Sequence, residues 1–175
     1  PASFGPKLFG VSGHVNRPGV YEEELGATIS ELIENHSMGM RDGKKFKAAV
    51  PGGISMGVVT AEHYDAKLDF DIGKKCACLG LGTAGLIVMD EDTDMVAVAR
   101  NVARFFSHES CGQCTPCRVG TEKAVKLMAE KEWDEALLQE LSQAMSDASI
   151  CGLGQAAANP LKMVLAHFPD DIICK

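Results

Sequence analysis

The sequence lacks the positive charge that nucleic-acid binding requires. Its 175 residues include 17 Lys and Arg against 24 Asp and Glu, so the net charge is -7 at pH 7. Proteins that bind nucleic acid usually carry a basic patch or stripe that contacts the phosphates, and no such stripe is visible here. We therefore expect no nucleic-acid partner.

Long hydrophobic runs and a secretory signal are also missing. No apolar run approaches the roughly 20 residues that span a bilayer. The opening Pro1–Pro6 has neither a charged start nor an apolar segment, unlike a signal peptide. We expect no direct membrane insertion. Because the chain begins with Pro1 instead of Met, we also expect it to be a fragment or a processed product.

The sequence contains no familiar arrangement of catalytic side chains. It has no Ser/His/Asp order, no His-Glu-x-x-His motif and no carboxylate pair suited to acid–base work. Gly80–Gly85 has the Gly-x-Gly-x-x-Gly spacing of a dinucleotide-binding loop, but it precedes a predicted strand where that loop would open a helix. We interpret it as a turn and predict no catalytic residue in this chain.

The two halves of the chain differ in composition, and we predict a domain boundary between residues 90 and 91. The first half is rich in glycine and β-branched residues, whereas the second is rich in helix-favouring Ala, Met, Leu, Glu and Lys. A hairpin, one helix and further strands predict an α+β fold for residues 1–90. The predicted elements are strands Lys7–Gly13, Gly19–Glu24, Phe46–Val50 and Gly85–Met89, a further strand region after Pro51-Gly52-Gly53, and a helix Ile29–His36 capped by Thr28.

Residues 91–175 are predicted to form a small bundle of four antiparallel helices. Apolar residues at i, i+3, i+4 and i+7 indicate the first helix, which Asp92 or Thr93 could cap. Thr115-Pro116 resembles an N-cap followed by a first helical residue. The remaining helices are predicted to run from Thr115 to about Glu130, from Trp133 to Met145, and from Asn159-Pro160 to Phe168-Pro169.

Seven cysteines are present, an odd number, which argues against a disulfide framework and for a reducing, cytoplasmic environment. Cys111, Cys114 and Cys117 form a Cys-x2-Cys-x2-Cys motif, and Cys151 lies far downstream of it. Three clustered thiolates with one remote cysteine are a common ligand set for a cubane iron–sulfur cluster. The alternatives are a zinc site and a redox-active dithiol, although each leaves part of the pattern unexplained.

The other three cysteines carry weaker signals. Cys76 and Cys78 alternate along a stretch that we interpret as a strand, which would place both thiols on one face. We expect them to be ordinary buried thiols. Cys174, near the end of the chain, is expected to be free and without a function.

The segment Glu109–Gly120 resembles the signature of a family of NADH-dehydrogenase flavoprotein subunits. This family includes subunits of respiratory complex I, of NAD-linked hydrogenases and of NAD-dependent formate dehydrogenases. Further segments match in order: Val11–Gly19, Val50–Gly53, Leu86–Asp92 and Cys151–Gly154. The resemblance implies a ubiquitin-like, soluble-ligand-binding β-grasp domain at 1–90 and a helical [4Fe–4S]-binding domain at 91–175.

The resemblance also implies a function and partners. Cys111, Cys114, Cys117 and Cys151 would hold one [4Fe–4S] cluster that transfers electrons within an NAD(H)-dependent oxidoreductase. The whole subunit would bind FMN and NAD(H) in a preceding domain, so this chain alone is expected to bind neither and not to be catalytic. Implied partners are that domain, a thioredoxin-like [2Fe–2S] subunit and a larger iron–sulfur subunit. A complex I-like member could lie peripherally at the inner face of the membrane.

Overall fold

A computed structural model describes residues 4–76 and 78–173. The chain divides into two compact units, one ending at Thr93 and the other beginning at Asp94. The first unit contains a mixed β-sheet with short helices, and the second is helical.

Five strands form the sheet of the first unit in the spatial order β2-β1-β5-β3-β4. Strands β1 and β5 run parallel, whereas the β1/β2, β3/β5 and β3/β4 pairs are antiparallel. A parallel pair needs a long connection between its strands. Here the chain forms the other three strands and the short helices of the unit between β1 and β5. The strands are β1 Pro6–Gly13, β2 Gly19–Glu24, β3 Phe46–Val50, β4 Val59–Thr60 and β5 Gly85–Asp90.

One face of this sheet builds the core of the first unit. Side chains alternate between the two faces of a strand, so Phe9 and Val11 of β1 point inward together with Leu86 and Val88 of β5. They pack against fully buried residues of the helical segments and of the loop before α2, including Ile29, Leu32, Ile33, Leu68 and Ile72.

The predicted helix at Ile29–His36 is present but changes its winding. Helix α1, Ile29–Glu31, continues as a π-helical turn over Leu32–His36. Thr28 caps it as predicted: its Oγ1 accepts from the Glu31 N–H at 3.1 Å, and its own N–H donates to Glu31 Oε2 at 2.8 Å. This reciprocal pair is a capping box. A second short helix, α2, spans Ile72–Lys75.

The second unit contains four helices of nine or more residues within its described part. They are α3 Met95–His108, α4 Thr115–Ala129, α5 Glu135–Ala148 and α7 Asn159–His167, with the five-residue α6 Gly152–Ala156 and α8 Pro169–Ile173. Met128, Leu138, Met145 and Val164 are buried within it. The sequence predicted the four longer helices but neither short one, because a single turn is too brief to show a hydrophobic period.

Several local predictions are wrong. Asp94 caps α3 by accepting from the Ala97 N–H at 3.0 Å, whereas the hydroxyl of Thr93 donates to Asp90. Cys114, not Thr115, is the N-cap residue of α4. Cys76 and Cys78 do not lie in a strand, since Cys76 ends α2 through an N–H bond to the Ile72 carbonyl.

The Gly80–Gly85 segment is a turn that leads into β5, as predicted.

In the part of the chain described, no helix combines the length and apolar character needed to cross a membrane.

Candidate iron–sulfur site

The three clustered cysteines lie on the loop between α3 and α4 and on the first turn of α4. Gly112 has φ +75°, in the left-handed region that disfavours L side chains, and this conformation turns the loop sharply after Cys111. The Arg118 guanidinium donates to the Gly112 carbonyl and reaches back to Thr115 Oγ1 at 3.5 Å. A side chain of α4 therefore holds the loop against the helix start.

The start of α4 fixes the other two sulfurs of the trio. Cys114 is the N-cap residue, and its carbonyl accepts from the Arg118 N–H at 3.0 Å. Cys117 follows in the first turn, is buried, and has its carbonyl bound by Thr121 Oγ1 at 2.8 Å. The Ser110 hydroxyl lies 3.3 Å from Cys117 Sγ. The first N–H groups of a helix have no partner inside it, so this helix end favours negative charge.

Cys151 lies at a second helix start, as the N-cap residue of α6. The segment before it is held by Ser149, whose N–H donates to the Met145 carbonyl at 3.1 Å and whose carbonyl accepts from Gln155 Nε2 at 3.0 Å. The side chain of Cys151 is exposed.

Gly154 shows that the two segments are in direct contact. A Cβ added to this glycine would stand 2.8 Å from Cys117 Cβ and 2.6 Å from Ser149 Cβ. Real Cβ atoms do not approach so closely, so only glycine permits this packing. The α6 start and the first turn of α4 thus meet, although most of α4 and all of α5 lie between them along the chain.

The environment of Cys114 favours a thiolate. Its pKa is lowered first by the Ile150 N–H, next by the Cys117 N–H, and further by the nearby Ser149 side chain. Hydrogen bonds to the charged form stabilise it. Donors from both the trio and the Cys151 segment therefore converge on this sulfur.

The four predicted residues differ in exposure. Cys117 is buried, Cys114 is half-buried, and Cys111 and Cys151 are exposed, and none of them is in a disulfide. Within residues 4–76 and 78–173, no three His, Cys, Asp or Glu side chains are grouped as ligands of a single metal ion. Cys114 and Cys117 lie at the start of α4, and Cys151 lies at the start of α6, which packs against it.

The remaining cysteines lie elsewhere. Cys76 and Cys78 are buried in the first unit, as expected, and burial raises the pKa of Cys76 to about 11 and that of Cys78 in the same direction. Such thiols are poor ligands and nucleophiles at neutral pH. Cys174 lies outside the described residues.

Sequence reasoning missed three residues of this site: Ser110, Ser149 and Gly154. A signal for the two serines exists in retrospect, because a serine stands within two residues before the first cysteine of each segment. The close approach of Gly154 to Cys117 had no local signal, since it depends on two segments that are distant along the chain.

Two domain families match the chain. Residues 97–175 match the NADH-ubiquinone oxidoreductase-F iron-sulfur binding region, and residues 8–59 match the SLBB domain. The first match contains all four predicted ligands, and the second lies within the sheet-containing unit.

Similar proteins and structures agree with these matches. The F subunit of the NADH-quinone oxidoreductase of Rhodobacter capsulatus is 42% identical over 180 residues, and that of Rickettsia rickettsii is 40% identical over 181. Each alignment covers 98% of this chain and 42% of the relative, so the chain spans less than half of their length. A chain of an NAD+-reducing [NiFe]-hydrogenase in its H2-reduced state superimposes with TM-score 0.84 and 34% identity, covering 99% of this chain and 29% of that one. The chain is therefore similar, through its SLBB and iron–sulfur-binding regions, to the F subunits of NADH-quinone oxidoreductases.

Proposed function

We propose that this chain carries single electrons through a [4Fe–4S] cluster bound by Cys111, Cys114, Cys117 and Cys151. The observation that supports this most directly is the contact between the two cysteine segments, in which Gly154 of α6 packs against Cys117 of α4. Sequence spacing alone leaves the fourth ligand far from the trio. The contact between the two segments supports Cys151 as the fourth ligand, and the N–H groups of Ile150 and Cys117 lower the pKa of the Cys114 thiol.

A cluster at this position suits one-electron transfer. A cubane cluster changes charge by one electron at a time, with a potential set by its surroundings. The helix start at Cys114 and the guanidinium of Arg118 both favour the extra negative charge of the reduced form. The chain's contribution is therefore to hold the cluster and to set its potential.

The architecture of each unit is part of the proposal. The sheet has the spatial order β2-β1-β5-β3-β4, and α1 lies between β2 and β3 along the chain. This is the layout of a ubiquitin-like β-grasp. Packing among α3, α4, α5 and α7 supports a small four-helix bundle in the second unit. We assign the β-grasp domain to residues 1–90 and the [4Fe–4S] domain to 91–175.

The proposal extends to the whole protein through its relatives. The F subunits of NADH-quinone oxidoreductases and the matching chain of the NAD+-reducing hydrogenase belong to oxidoreductases and are more than twice as long as this chain. We place the FMN and NAD(H) sites in a preceding domain, and the electron partners in a thioredoxin-like [2Fe–2S] subunit and a larger iron–sulfur subunit. Thiols held as ligands instead of disulfides favour a cytoplasmic location, peripheral to the inner face of the membrane in a complex I-type assembly.

Anaerobic purification followed by absorbance and metal analysis tests this function. We expect a brown protein with a broad visible band that bleaches on reduction, and about four irons per chain. A colourless protein holding one zinc would instead support a structural module without a redox role, and would overturn the proposal.

A further inference from the structure

Two serine hydroxyls border the sulfurs of the candidate site. Ser110 lies on the loop after α3, and its Oγ is 3.3 Å from Cys117 Sγ. Ser149 lies at the end of α5, where its side chain and Cys117 Cβ both lie against Gly154. The function proposed above uses neither hydroxyl, and the two approach the trio from different segments.

Ser110 is arranged so that its proton is available to sulfur. Its Oγ accepts a hydrogen bond from the Gly112 N–H at 3.3 Å. With one lone pair used in this way, the hydroxyl proton is free to point at Cys117 Sγ, an acceptor when ionised. The loop that carries Cys111 thus fixes the orientation of this donor.

Ser149 is a buried hydroxyl whose hydrogen-bonding capacity is unused. Only 5% of the residue is exposed, and its Oγ completes no hydrogen bond among the described residues, although its side chain lies against Gly154 together with Cys117 Cβ. A buried hydroxyl left unsatisfied is destabilising, so such a group calls for an acceptor. Backbone bonds to the Met145 carbonyl and from Gln155 Nε2 hold Ser149 in place.

We propose that Ser110 and Ser149 donate hydrogen bonds to cluster-bound sulfurs of the trio, Ser110 to that of Cys117, and that these two hydroxyls raise the reduction potential of the cluster. This inference rests on the proposed function. Donors near a sulfur stabilise the form with more negative charge, which is the reduced form. The hydroxyls are therefore positioning and tuning groups, and neither binds iron.

The test is potentiometric titration of the anaerobically purified full chain, followed by electron paramagnetic resonance. Ser149→Ala and Ser110→Ala should each lower the equilibrium constant for reduction by about tenfold, which corresponds to about 59 mV for a one-electron couple. The double variant should show the larger shift. Iron content should stay at the level of the unmodified chain.

Ser142→Ala is the matched control. Ser142 is also a buried serine of α5, but its hydroxyl donates to the Leu138 carbonyl at 2.6 Å, within its own helix. Its removal should leave the potential unchanged. An equal shift in this control would mean that loss of any α5 hydroxyl acts through packing, and would overturn the inference.

If Ser149→Ala fails to assemble the cluster, two variants with side chains of similar shape can be compared instead. Ser149→Thr keeps the hydroxyl, whereas Ser149→Val replaces it with a methyl group of similar size. A potential for the Thr variant above that of the Val variant supports the donor role, and equal potentials contradict it. A normal cluster with unshifted alanine variants would overturn only this inference, whereas absence of iron from the unmodified chain would overturn the proposed function as well.

Discussion

Gly154 and Cys117 approach so closely that a Cβ on the glycine would stand 2.8 Å from the Cβ of the cysteine. One residue belongs to the segment of the remote ligand and the other to the trio. Their contact joins two helix starts, and it allows the four thiols to share one site.

Replacing this glycine should damage the site. In Gly154→Ala the new methyl would meet Cβ atoms of Cys117 and Ser149, which move only if the backbone moves. We expect a loss of about 1–3 kcal/mol in stability, typical of overpacking, and reduced iron content. Gly152→Ala, in the same helix and with open space around it, should change neither quantity. Equal iron content in both variants would show that the contact does not matter for assembly.

Each of the four predicted ligands should be needed for a complete cluster. Serine replacements at Cys111, Cys114, Cys117 or Cys151 should remove one iron or the whole cluster, measured by iron analysis and electron paramagnetic resonance. Serine replacements at Cys76, Cys78 and Cys174 should leave the iron content nearly unchanged. Full occupancy in Cys151→Ser would remove the remote residue from the ligand set.

Cluster removal should loosen the helical unit selectively. Its size is one at which a hydrophobic core is often marginal, so metal binding contributes folding free energy. The sheet unit has its own core around Phe9 and Leu86 and contains none of the four ligands. Hydrogen exchange should therefore speed up in residues 91–175 of the apoprotein far more than in 1–90. Equal protection of the helices in both forms would mean that their core suffices without the cluster.

The chain by itself should neither bind FMN nor reduce a dye with NADH. Its Gly80–Gly85 loop leads into β5, whereas a dinucleotide loop places phosphate at a helix start. Flavin analysis and a diaphorase assay on the purified chain provide the measurement. Flavin bound in a one-to-one ratio would contradict the expectation.

The capping box of α1 should make the sheet unit sensitive to acid. The pKa of Glu31 is lowered from 4.5, first by the Thr28 N–H and then by the Thr28 hydroxyl. Because the folded pKa lies below the unfolded one, the stabilisation is complete above the unfolded pKa and is lost as the pH falls through the folded one. Thr28→Ala should cost about 1 kcal/mol at pH 6 and less at pH 3, by urea unfolding. An equal loss of stability at both pH values would show that the Thr28 cap does not depend on the charge of Glu31.

Local sequence patterns were sufficient for most elements of the fold. β-Branched residues and flanking turn residues identified β1, β2, β3 and β5, because such signals lie within a few residues of each strand. The capping residue Thr28 was also recognisable, since a capping box is contained within four residues. Cys76 and Cys78 were misplaced in a strand, because a short apolar segment beside a helix end can show the same alternation.

The sequence by itself determined the chemistry of the site: four thiols, three of them in a tight motif, and a resemblance that implied their shared cluster. Only the tertiary structure decided that the segment of Cys151 packs against the first turn of α4 and that the Ser110 hydroxyl lies beside Cys117 Sγ. The physical reason is distance along the chain. The contact of Gly154 with Cys117 and the burial of Ser149 arise from the packing of α4, α5 and α6, and no local pattern of residues encodes such packing.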